Sequence, residues 1–80
     1  MRQGLGRFMY ALESGLEDPV WTIHNKRADS LLGHLERDKS WRQWVFWPSP
    51  SCVFSADCLA EITAFLGRLN KERKEVQRER

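Results

Sequence analysis

From Val20 onward, short apolar runs alternate with polar turns. Val20-Trp21-Thr22-Ile23-His24 is β-branched and aromatic, a composition that suits a pleated, half-buried strand. The polar stretch 25–30 carries Asp29-Ser30, a turn signal. A second strand is predicted over 31–36, with Gly33 marking a bulge or a close backbone approach. After the polar turn Arg37-Asp38-Lys39-Ser40, residues 41–47 form a third strand dense in rings, and Pro48-Ser49-Pro50-Ser51 breaks the pattern. Connections this short favour an antiparallel meander. The period then changes. Leu59, Ile62, Phe65, Leu66 and Leu69 make one helical stripe. Ser55 stands at the N-cap, Asp57 lies in the positive first turn, and Phe54 and Leu59 occupy the positions of a hydrophobic staple.

The N-terminal segment reads two ways. Leu5, Phe8, Met9, Leu12 and Leu16 fall at helical spacing, while Gly4, Gly6 and Gly15 oppose a long helix and Pro19 closes the segment. A short helix or an extended arm is expected. The fold class is therefore α+β: a three-stranded antiparallel meander followed by one long amphipathic C-terminal helix. The expected division is an arm or short helix over 1–19, a β-β-β-α unit over 20–70, and a charged helical extension or disordered tail over 71–80. The predicted core is Trp21, Ile23, Leu35, Trp44, Phe46, Leu59, Ile62, Phe65, Leu66 and Leu69.

Strand alternation raises a difficulty. Arg42, Trp44 and Phe46 share one face of the third strand, and Trp41, Gln43, Val45 and Trp47 share the other. In the second strand, Leu31 and Leu35 oppose Leu32 and His34. One helix covers one face of a sheet. The large apolar residues on the other face need the segment 5–16, a second copy of the chain (a homodimer) or a foreign partner. Aromatic residues are enriched at interface hot spots, so Trp41, Gln43, Val45, Trp47 and His34 are the candidate partner-binding residues.

Composition narrows the classes. Eighty residues make at most one domain, and 13 basic against 11 acidic residues leave a net charge of +2, too small to imply a polyanionic partner. No apolar run approaches the roughly 18 residues of a transmembrane helix, and Met1-Arg2-Gln3-Gly4 does not lead into a secretory signal, so a cytoplasmic protein without membrane contact is expected. Cys52 and Cys58 are too few for a disulfide scaffold. With His24 and His34 they give C-x5-C and H-x9-H, which match no common zinc signature. There is no Gly-rich phosphate loop and no G-x-S-x-G. No enzyme activity, catalytic residue, metal or cofactor is expected.

A nucleic-acid-binding module is the alternative. Lys26 and Arg27 in one turn, Arg37 and Lys39 in the next, and Arg42 in the third strand set cations among rings, and rings stack on unpaired bases while cations neutralise phosphates. Glu36 and Asp38 interleave, however. In the tail, Lys71–Glu75 and Glu75–Arg78 have helical pair spacing, so a solvated helix face accounts for that charge run.

Over residues 20–70, the runs Trp21-Thr22-Ile23-His24-Asn25-Lys26, Leu32-Gly33-His34-Leu35-Glu36, Trp41-Arg42-Gln43-Trp44-Val45-Phe46-Trp47-Pro48 and Val53-Phe54-Ser55-Ala56-Asp57-Cys58-Leu59 resemble small proteins of phages and prophages. The resemblance implies a three-stranded meander followed by a helix, a bacterial host cytoplasm, and a non-enzymatic protein that binds and inhibits a host or defence complex, such as a CRISPR effector. Its motifs are turn residues, core rings and a helix cap, and it supplies no catalytic residue.

Overall fold

The computed structural model describes residues 2–15 and 19–78, the side chains only as far as Lys71. Five strands precede one helix: β1 (Arg2–Leu5), β2 (Met9–Glu13), β3 (Trp21–Asn25), β4 (Leu31–Asp38), β5 (Gln43–Pro48) and α1 (Ala56–Arg78). The strands form one antiparallel meander in chain order. The fold is α+β, with five strands where the pattern predicted three.

The two additional strands come from the segment expected to be an arm or short helix. Leu5, Phe8, Met9 and Leu12 fit a helical stripe, but they also fit a hairpin with Gly6-Arg7-Phe8 as its loop. Gly6 takes φ 64, a conformation that favours glycine, and Leu5 pairs with Met9 across the loop. A Cβ at Gly6 would lie 2.9 Å from the Glu61 side chain, so the turn also passes tightly under α1. The hairpin satisfies the free edge of β3, whose residues Trp21 to Asn25 pair with β2. Leu16, the last member of the predicted stripe, lies outside the described residues.

One face of the sheet packs on α1. Its buried residues are Leu5, Met9, Ala11, Trp21, Ile23 and Leu35, met by Ile62 and Phe65 from the helix. Phe65 stands edge-on to Trp21, with ring centroids 5.0 Å apart. Trp44, Phe46, Cys58, Leu66 and Leu69 close the margin. The Ser55 cap forms: its Oγ accepts the Cys58 amide at 3.2 Å. Leu59 departs from the expected core and is 46% exposed. Phe54 meets Phe46 edge-on at 5.5 Å.

Two local features shift the predicted faces. The register slips between Ile23 and His24, so Gly33 pairs with Ile23 and Leu31 pairs with His24. This bulge inserts Leu32 and reverses the expected faces: Leu32 packs against the core, and Leu31 is exposed. The second feature is the β4–β5 turn. The Asp38 carboxylate accepts the amides of Ser40 and Trp41, at 2.7 and 3.2 Å, and Arg42 takes φ 56. The third predicted strand therefore begins at Gln43. Trp41 and Arg42 belong to the turn, and Trp41 is 70% exposed.

Candidate functional site

With β1 and β2 inside the sheet, no described segment lies over the face opposite α1. The register sets one cross-strand row there, Arg2, Leu12, Thr22, His34 and Trp47, one residue from each strand. Tyr10, His24 and Leu31 form the neighbouring row, and Glu36 pairs with Val45 on the other side.

Two ring pairs order this face. The Tyr10 and His24 rings stack with centroids 5.1 Å apart and planes 13° from parallel. The Arg2 guanidinium lies 3.9 Å from the Tyr10 centroid, a cation–π contact. The Tyr10 hydroxyl donates to Asp29 Oδ1 at 2.8 Å. That hydrogen bond raises the phenol above its ordinary pKa, seconded by burial and by the charge of Asp29 and opposed by Arg2. Tyr10 is consequently buried on an otherwise open face. His24 Nε2 shares a 2.8 Å hydrogen bond with the Thr22 hydroxyl. The second pair is His34 and Trp47, nearly parallel at 6.3 Å. His34 Nε2 lies 3.2 Å from Glu36 Oε1, an ion pair when the imidazole is protonated.

Of the candidate partner-binding residues, His34, Gln43, Val45 and Trp47 share this face, and Trp41 stands apart in the β4–β5 turn. The nucleic-acid candidates divide. Lys26 and Arg27 sit in the β3–β4 turn, while Arg37, Lys39 and Arg42 lie at the opposite end of β4. At about 3.3 Å per residue, β4 separates the groups by roughly 25 Å. The face between them carries Arg2 and Glu36 and has no net charge from that pair. Arg2, Tyr10 and Leu12 also belong to this face, which the expectation of a short helix or extended arm over the N-terminal segment does not place in the sheet. The period-2 alternation of 9–13 places Tyr10 and Leu12 on one face, whereas Arg2 joins them only through the β1–β2 pairing.

Among the described residues, no three His, Cys, Asp or Glu side chains converge as a metal site. The Cys52 thiol faces the Leu31 carbonyl at 3.8 Å, and Cys58 is half-buried in the first turn of α1. Among the described residues, no helix is long and apolar enough to cross a membrane. Comparison with family models, curated proteins and solved structures found no match.

Proposed function

We propose that this chain is a non-enzymatic binding protein that docks a protein partner on its uncovered sheet face and thereby inhibits a host or defence complex, in the manner of phage-encoded inhibitors. The observation that carries the docking reading is the uncovered Trp47–His34 pair. Trp47 is 48% exposed on the side of the sheet away from α1, held parallel to His34 at 6.3 Å. A pre-ordered ring loses little freedom on binding, which is what an interface anchor requires. Leu12, Leu31 and Val45 supply further apolar surface on the same face, and Thr22, His24, His34 and Glu36 supply polar groups, the mixture typical of protein interfaces. The near-neutral charge of the face favours a protein over a polyanion. The inhibitor part of the reading rests on the resemblance of residues 20–70 to phage proteins.

The test expresses the chain in a bacterium with an active CRISPR defence and scores phage survival. The wild-type chain should raise survival. Trp47→Ala and His34→Ala should abolish the effect while the purified variants stay folded, and Lys39→Ala should retain it. Undiminished protection by Trp47→Ala would remove the uncovered face from the mechanism. No protection by the wild-type chain against any defence type tried would remove the inhibitor reading.

A further inference from the structure

The β1–β2 and β3–β4 turns meet at one end of the sheet and are tied together there. The Lys26 amide donates to the Phe8 carbonyl at 2.8 Å, and Lys26 Nζ donates to the Gly6 carbonyl at 3.0 Å. The β3–β4 turn is braced from within. Asn25 Oδ1 accepts the amides of Arg27 and Ala28, at 2.8 and 3.2 Å, and the Asn25 amide donates to the Ser30 carbonyl at 3.0 Å. These ties bring Arg7 and Phe8 beside Lys26 and Arg27, nearly twenty residues away in the chain. Together with Asn25 they line a groove of about 470 Å³.

The charge in this groove is of one sign. Arg7, Lys26 and Arg27 line it, and among the described residues no carboxylate does. The single ion pair among the described residues joins His34 and Glu36, so no described carboxylate lies within ion-pair distance of the three cations. Asp29, the one acid in the two turns, is engaged by the Tyr10 hydroxyl. Asp57 and Glu61 line a separate concavity on the α1 side, which Arg7 also borders. Phe8 is 55% exposed at the groove, an apolar ring amid the cations.

We propose that this groove binds the phosphate groups of a nucleotide or an oligonucleotide, with Arg7, Lys26 and Arg27 as the anion contacts and Phe8 as a platform for the base. Guanidinium forks match phosphate oxygens in pairs, and an ammonium adds a point charge. A ring beside them stacks on a base without regard to sequence. The site is distinct from the uncovered face and stands or falls without it.

The experiment follows backbone amide chemical shifts of the full chain during titration with inorganic phosphate, adenosine monophosphate and a short oligothymidylate. Shifts should concentrate at Arg7, Phe8, Lys26 and Arg27. Arg7→Ala and Arg27→Ala should each weaken nucleotide binding about tenfold, the loss of one charge-assisted contact. Arg42→Ala, at the other end of the sheet, should leave it unchanged. Phe8→Ala should weaken the nucleotide and spare inorganic phosphate, which separates stacking from charge. Oligothymidylate binding much tighter than the mononucleotide, with a steep salt dependence, identifies a polynucleotide as the source of the phosphates. Equal affinity per phosphate identifies a free nucleotide. Undiminished binding in Arg7→Ala and Arg27→Ala, shifts centred on Trp47 and His34, or equally tight binding of polyglutamate would overturn the proposal.

Discussion

The Asn70 carboxamide grips both backbone polar groups of Trp44: the Trp44 N–H donates to Asn70 Oδ1 at 2.7 Å, and Asn70 Nδ2 donates to the Trp44 carbonyl at 3.4 Å. Trp44 lies on β5, an edge of the sheet, where backbone groups facing outward have no neighbouring strand. The side chain reproduces the two bonds a sixth strand would make. By antiparallel alternation Phe46 and Pro48 face outward in the same sense, and Pro48 has no N–H to offer. The edge is thus partly closed against unwanted pairing, as natural sheets require. Asn70→Ala should orphan a half-buried amide and cost about 1–3 kcal/mol. Urea denaturation measures that loss, and sedimentation should show more self-association than in the wild type.

Gly33 is held by close approach. A Cβ there would lie 2.6 Å from the Trp47 carbonyl oxygen and 2.7 Å from the Phe46 ring. Backbone cannot yield as a flexible side chain does, so Gly33→Ala should destabilise by at least the roughly 1–3 kcal/mol of an overpacked core. Thermal unfolding should show a lower Tm, whereas Gly67→Ala on the open side of α1, where a Cβ would meet no neighbour, should leave Tm unchanged or raise it.

Tyr10 should ionise above the ordinary tyrosine value of about 10, because tyrosinate would lose its donated bond and face the Asp29 carboxylate. The folded pKa is raised above the unfolded one. The stabilisation is therefore complete below the ordinary value and is lost as pH rises through the folded one. Ultraviolet titration of the tyrosine should show the upward displacement. Asp29→Asn should bring the midpoint back towards the ordinary value and shrink the stability loss in alkali.

The two faces of the sheet should answer truncation differently. Phe65→Ala, at the Trp21 contact beneath α1, should cost about 3–5 kcal/mol of folding stability. Trp47→Ala, on the uncovered face, should cost much less in folding and about 2 kcal/mol or more in partner affinity. Equal folding losses at the two positions would show that something covers Trp47 in solution, and sedimentation would identify a second copy of the chain as the cover.

The helix cap gives a smaller, local test. Ser55→Ala removes the acceptor for the Cys58 amide and should cost about 1 kcal/mol, whereas Ser55→Asp should retain most of the stability. Denaturant midpoints of the three proteins decide it.

Elements whose local signals agreed were legible in the chain itself. Trp21 to Asn25 is β-branched and aromatic between polar breaks, and it is a strand. Ser55 and the stripe of Ile62, Phe65, Leu66 and Leu69 define the start and the buried side of α1. Gln43 to Pro48 alternates without interruption, so Trp44 and Phe46 go to the helix while Val45 and Trp47 do not. In each case propensity, period and termination point the same way, and tertiary packing had no conflict to resolve.

Tertiary structure decided the remainder. Leu5, Met9 and Leu12 fit a helical stripe, yet Leu5 and Met9 also pair across a hairpin that turns Leu12 to the other face, and the free edge of β3, with Gly6 able to turn the chain, selects the hairpin. The slip at Ile23 and His24 exchanges the faces of Leu31 and Leu32, because one inserted residue reverses alternation beyond it. The meeting of Arg7 with Lys26, and of Asn70 with Trp44, depends on which strands become neighbours and where α1 crosses them. Spacing along the chain carries periods of two and of three to four residues. Contacts across twenty or more residues are selected only when whole elements compete to bury the same apolar surface and satisfy the same backbone groups.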